Sequence, residues 1–216
     1  MVRLGRSVAA ESRRGTPADL LVVGLGNPGP EFDGTRHNVG AEAVARVAAR
    51  YGETLKKSKE RALVSEIRIG QKRVVLAFPQ TFMNNSGESV RMLRKRYGIT
   101  DGDQLLLVHD EIDLPVGRLK LKQGGGLAGH NGLRSVSSQV GSGHFMRLRI
   151  GIGKPPQSQI ARDFVLKRPG KTERTILDTA ISNASEAIEL IVRDGIEATM
   201  NAVNRRVEEP RPDDGN

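Results

Sequence analysis

The feature that most restricts how this chain can fold is the run Leu20 to Gly26, LLVVGLG, in which apolar residues follow one another without alternation. A strand with one wet face alternates polar and apolar residues, whereas an unbroken run of this length suits a strand buried on both faces. Such a strand needs a layer of helices above it and another below. The cluster Asn27-Pro28-Gly29-Pro30 ends the run. Gln104 to Val108, QLLLV, is a second buried strand of the same kind.

The segments between and beyond these strands supply the layers. Asn38 to Tyr51 carries apolar residues at Val39, Val44, Val47, Ala48 and Tyr51, a helical spacing that stops at Gly52. Ala62 to Ile69 and Arg73 to Phe78 flank Gly70-Gln71, which predicts a hairpin with a glycine-first tight turn. Ser86 to Tyr97 reads as a helix halted by Gly98, and Arg118 to Lys122 as a strand before the glycines 124 to 126. Asn131 to Val140 is a further helix, Leu148 to Ile152 a strand, and Thr172 to Arg193 and Ile196 to Val203 closing helices. The expected fold is α/β: a single three-layer domain with a mixed β-sheet and helices on both faces. A length of 216 residues supports one such domain. Its expected bounds are residues 19–204, between a disordered N-terminal extension, 1–18, and a disordered C-terminal tail, 205–216.

Composition narrows the chemistry. The chain has no cysteine, which removes disulfides, thiol catalysis and cysteine-bound zinc together, and fits a reducing cytoplasmic setting. No apolar run approaches the ~20 residues of a membrane helix, and no apolar stretch of a secretory signal opens the chain, so a soluble protein is expected. The formal charge is +9, of which residues 1–18 hold +3 and residues 205–216 hold −1, leaving +7 on the expected domain. Basicity of the folded part suits a polyanionic partner such as RNA, although it also serves solubility alone. Aromatic residues make up only 3%, which favours binding through phosphates over a base-stacking platform.

Gly24-Leu25-Gly26-Asn27-Pro28-Gly29 has the spacing of a dinucleotide-binding loop, but Pro28, Pro30 and Gly34 postpone the helix to about Asn38, so no helix N-terminus meets a pyrophosphate. Four polar residues fall where strands or glycine loops end, namely Asn27, Asn84, Asp110 and Asn131, and His37 precedes the first helix. Each alone is commonly a cap or a turn residue; together they mark the crevice beyond the carboxyl ends of the strands. No Gly-x-Ser-x-Gly elbow is present, so a hydrolase of this type would use water directly, with His37 as general base and Asp110 as the carboxylate that orients it. Asparagine amides can donate to a developing oxyanion. A metal site using His109, Asp110, Glu111, Asp113 and His130 is an alternative, though no closely spaced ligand pair supports it; His109 and His144 read as packed or surface histidines. The glycines before Asn131 could present backbone N–H groups to a phosphate or simply cover the crevice. Lys120 with Lys122, and Arg147 with Arg149, alternate along two strands, the usual pattern of a solvated face.

The stretches VGLGNPGPEFDGTRHNVG, TFMNNSG, HDEIDLPVGRLKLKQGGG, GHNGLRS and RLRIGIG, taken in order, resemble the bacterial peptidyl-tRNA hydrolase family over roughly Leu20 to Asn204. The resemblance implies a metal-free, cofactor-free ester hydrolase that releases tRNA from peptidyl-tRNA dropped from or trapped on stalled ribosomes. It implies His37 as general base, Asp110 as its partner, and Asn27 at the position that helps admit N-blocked esters. Asn84 and Asn131 match positions that hold the tRNA 3′ end and its peptide, with Phe82 beside them, and Lys122 and Arg149 match a clamp for the 5′-phosphate. It also implies a cytoplasmic monomer in transient contact with the large ribosomal subunit and with no membrane. Phe32 stands where the family commonly has tyrosine, losing any hydroxyl contact, and Ala128 replaces a usual glycine. The alternative is a hydrolase-like RNA-binding protein without catalysis, against which His37, Asp110 and the three asparagines stand.

Overall fold

A computed structural model describes residues 16–205; the remainder of the expected extension and tail lies outside the described residues. Packing begins inside the stretch assigned to the extension, because Ala18 is buried and its N–H donates to the Tyr97 carbonyl at 2.9 Å.

Among the described residues, seven strands form one mixed sheet: β1 (Leu20–Gly24), β2 (Lys56–Ser58), β3 (Ala62–Ile69), β4 (Lys72–Pro79), β5 (Leu105–Glu111), β6 (Leu119–Gln123) and β7 (Met146–Gly151). Their order is β2-β3-β4-β1-β5-β7-β6, with β4, β1, β5 and β7 parallel and the outer strands β2, β3 and β6 antiparallel to their neighbours. The six α-helices among the described residues are α1 (Val39–Arg50), α2 (Ser86–Tyr97), α3 (Asn131–Val140), α4 (Ala161–Val165), α5 (Lys171–Asp194) and α6 (Ile196–Arg205).

The unbroken apolar runs are explained by two cores. Leu20 and Val22 of β1, with Leu106 and Val108 of β5, pack under α1 and α5, while Leu21, Val23, Leu105 and Leu107 pack under α2 and α3. Alternate side chains thus enter opposite layers, and every residue of β1 and β5 is buried. Two glycines let α1 sit unusually close to the sheet. A Cβ on Gly24 would lie 2.2 Å from the Gly40 carbonyl oxygen, and one on Gly40 would lie 2.1 Å from that of Val108. The start of α1, and the turn before it, are therefore held against the ends of β1 and β5.

Several elements depart from their sequence patterns. β5 continues through His109, Asp110 and Glu111 beyond the apolar run, because each of these polar side chains finds a partner inside the protein. β7 starts at Met146, ahead of the expected Leu148. β2 is three residues of sequence KKS, and α4 is five residues long, both too short to show periodicity. No helix among the described residues is long and apolar enough to cross a membrane.

Candidate active site

Beyond the carboxyl ends of β1 and β5 lies a cavity of about 830 Å³ whose lining includes Asn27, Phe32, His37, Phe82, Asn84, Asp110 and Asn131. Seven of the nine residues singled out in the sequence therefore meet in one place. The loop after β1 turns toward α1 on one face while that after β4 leads to α2 on the other, which opens the crevice between them.

His37 sits in a 3-10 turn, Arg36–Asn38, and is buried. Its Nδ1 lies 2.8 Å from Asp110 Oδ1. With the Nδ1 proton donated to the carboxylate, Nε2 keeps its lone pair and can accept a proton from water. Burial pushes the His37 pKa down, but the charge and hydrogen bond of Asp110 outweigh it and hold the ring above the ordinary histidine value. Burial pulls Asp110 the other way, yet His37 and His130 keep its carboxyl well below the usual range, so it is ionised. Asp110 does not follow its strand, as the sequence pattern implies, but lies within β5.

His130 is the residue whose role sequence reasoning missed. Its Nδ1 accepts the backbone N–H groups of Gly132 at 3.1 Å and Leu133 at 3.3 Å, capping α3. That nitrogen carries no proton, so the ring's proton is on Nε2, which donates to the same Asp110 Oδ1 at 3.1 Å. The cap is thus His130, and Asn131 is the first residue of the helix. The available signal was the placement of His130 directly before Asn131, at the start of a helical pattern. His109 is packed, as expected: its Nδ1 donates to the Asp110 carbonyl at 2.7 Å, its ring stands edge-on to His130, and burial pushes its pKa down to about 3. His144 is a surface histidine beside Asp103.

Asn27 is fixed at both ends. Its backbone N–H and carbonyl pair with the Asn38 side chain, each at 2.9 Å, and its Oδ1 accepts the Met83 N–H at 2.8 Å. Only the amide NH₂ remains to face the cavity. Asn131 behaves similarly, its Oδ1 accepting from Arg134. Phe32 and Phe82 meet edge to face with centroids 6.4 Å apart, and Phe82 is 58% exposed, an apolar surface left uncovered at the mouth.

Lys122 and Arg149 lie outside the cavity lining. Lys122 pairs with Arg147 and Lys120 with Arg149 across β6 and β7, so all four are on one face and Lys122 and Arg149 are diagonal neighbours. This face is not simply solvated. Arg147 is buried and its guanidinium donates to the carbonyls of Gly124 and Gly126, pinning the glycine loop. Arg149 donates to Glu111 Oε2 from Nε at 2.9 Å and from Nη2 at 2.5 Å.

Among the described residues, the donor atoms of His37, Asp110 and His130 form the group able to hold a metal ion, all within 4.8 Å of one another. Two of these donors carry the protons that bind Asp110, and a metal would have to expel both. The metal set drawn from His109, Glu111 and Asp113 does not assemble: His109 bonds a backbone carbonyl, Glu111 holds Arg149, and Asp113 faces Lys154 at 3.6 Å.

The family model for peptidyl-tRNA hydrolase matches residues 21–211. A peptidyl-tRNA hydrolase of Frankia alni is 45% identical over 181 residues, 84% of this chain and 91% of the relative. One from Mycolicibacterium vanbaalenii is 46% identical over 186 residues, covering 86% and 96%. The crystal structure of the peptidyl-tRNA hydrolase of Acinetobacter baumannii superposes with a TM-score of 0.81 at 39% identity, over 88% of this chain and 97% of that one.

Proposed function

Since the chain belongs to the peptidyl-tRNA hydrolase family and is a carboxylic-ester hydrolase acting on peptidyl-tRNA, we propose that His37 is the general base of that hydrolysis, oriented by Asp110. The observation that carries the reading is the 2.8 Å contact between His37 Nδ1 and Asp110 Oδ1 at the wall of a cavity into which the Asn27 amide also points. A water on Nε2 loses its proton as its oxygen attacks the ester carbonyl. The imidazolium that forms is stabilised by Asp110, and the proton passes to the departing 3′-oxygen of the tRNA. The Asn27 NH₂ is a donor for charge developing on the carbonyl oxygen.

Asn84 and Asn131, with Phe32 and Phe82 alongside, bind the 3′ end and the first peptide units in this reading, and Lys122 with Arg149 takes the 5′-phosphate. A free α-amino group is cationic at neutral pH, and seating it against amide donors in a closed crevice is costly, whereas a peptide bond there is neutral. Aminoacyl-tRNA ready for translation is spared by that difference. The enzyme acts as a cytoplasmic monomer and meets its substrate at or after release from the large ribosomal subunit. In this reading residues 19–204 form the catalytic domain.

The test is release of labelled peptide from N-acetylaminoacyl-tRNA, with and without EDTA. His37→Ala is expected to lower turnover by roughly 10² to 10⁴ while deacylated tRNA still competes for binding. Undiminished turnover in that variant would refute the base assignment, and loss of wild-type activity in EDTA would bring the metal reading back.

A further inference from the structure

The residue next to the proposed base makes more long-range contacts than the base itself. Arg36, the first residue of the 3-10 turn that carries His37, is only 8% exposed. Its Nε and Nη2 grip the two carboxylate oxygens of Glu173 at 2.6 Å each, a bidentate pair spanning 137 residues. Nη1 reaches the carbonyls of Phe164 at 3.3 Å and Lys167 at 3.2 Å, and the guanidinium carbon lies 4.2 Å above the Phe164 ring. The Arg36 backbone N–H also donates to Lys167. These partners are α4, the segment after it, and the first turn of α5. Ala161, Arg162, Val165 and Leu166 of that same stretch form a wall of the catalytic cavity. One side chain therefore ties the turn that carries His37 to the cavity wall. Arg168 reinforces the link, donating to the carbonyls of Asp33 at 2.7 Å and Pro30 at 3.1 Å, on either side of Phe32.

We propose that Arg36 is a positioning residue that never touches substrate: through Glu173, Phe164 and Lys167 it sets the distance between the α4 wall and the His37 imidazole. The proposal deepens the function above and rests on that cavity being where the ester is cleaved. A planar fork suits this task because two parallel hydrogen bonds fix both distance and angle, while stacking on Phe164 fixes the plane; an ammonium does neither. α4 is only five residues long, so its place is set by these tertiary bonds more than by its own helical stability.

The deciding variant is Arg36→Lys, which keeps the charge and loses the fork. At a temperature where circular dichroism shows it folded, its kcat is expected to fall roughly 10- to 100-fold, the scale of an ångström misplacement of reacting groups. The inhibition constant of deacylated tRNA should stay within about twofold of the parent, because no RNA contact is removed. Glu173→Gln is expected to show a smaller fall of the same kind, and the double variant should fall no further than Arg36→Lys alone, as for one mechanical unit. Wild-type kcat in folded Arg36→Lys, or additive losses in the double variant, would overturn the proposal. Should Arg36→Lys not fold, an unchanged kcat in Glu173→Gln overturns it equally. The base assignment fails separately, by full activity of His37→Ala, an outcome that leaves the Arg36 readout intact.

Discussion

Asp110 and Glu111 are consecutive residues of β5, equally buried at 3% exposure, and both are satisfied by cations or cation-like donors. Alternation of the strand sends them to opposite faces, and their partners differ in kind. Asp110 meets two imidazoles, one of them His37, whose pKa it raises; Glu111 meets the guanidinium of Arg149. Under the proposed mechanism the carboxylate on one face serves proton transfer, while the one on the other forms a charge pair with an arginine. A carboxylate's function follows from whether its partner can change charge.

The sharpest way to break this contrast is Asp110→Asn. An amide can present its NH₂ to His37 and so favour the wrong ring tautomer, and turnover is expected to drop by roughly two to four orders of magnitude. Activity in the parent is expected to rise with pH as His37 deprotonates, at a pKa held above the ordinary histidine value by Asp110. With the carboxylate gone and burial remaining, the residual rising limb of kcat/KM should move to lower pH; a limb that stays in place would detach Asp110 from the base. On the opposite face the effects are smaller and concern binding. Arg149→Ala should raise KM about tenfold with kcat kept, and reduce the salt slope of log KM by about one phosphate contact. Glu111→Gln should do the reverse, lowering KM and steepening the salt slope, because it frees the charge of Arg149; movement of both variants in the same direction would show that the pair acts only in folding.

The remaining effect concerns stability alone and is expected at His109, whose side chain bonds a backbone carbonyl and no carboxylate. Its ring takes a proton near pH 6.5 when unfolded but only near 3 when buried, so the stability it contributes is complete above 6.5 and is lost as acidity increases toward 3. His37, whose pKa is raised, works with the opposite sign. Thermal melts of the parent between about pH 7 and about pH 5 should show a loss that His109→Gln reduces, by an amount on the order of 2 kcal/mol at the acidic end. Parallel curves for the two proteins would remove His109 from the account.

Much of this arrangement was legible in the chain. LLVVG and QLLLV announce doubly buried strands, and polar residues just beyond them mark the crevice, because burial on two faces leaves an unmistakable run. The end of β5 was not legible, since HDE reads as the start of a turn until its partners are known, and those partners come from residues 37, 130 and 149. His130 was hidden for the same reason: capping and donation to Asp110 use its two nitrogens separately, which no spacing reveals. Arg36 gave no signal either, as an arginine in a polar loop is ordinarily exposed and its acid lies on a helix near the other end of the chain.

Positions 24 and 40 carry no functional group, yet the contact between His37 and Asp110 depends on the close packing they allow. With 2.2 Å and 2.1 Å between a would-be Cβ and a carbonyl oxygen, the clearance there is the thickness of a hydrogen atom. A single methyl at either place would act as a shim, lifting the N-terminal end of α1 and carrying the imidazole out of reach of its carboxylate. If His37 is the base, reactivity here is gauged by what two residues lack.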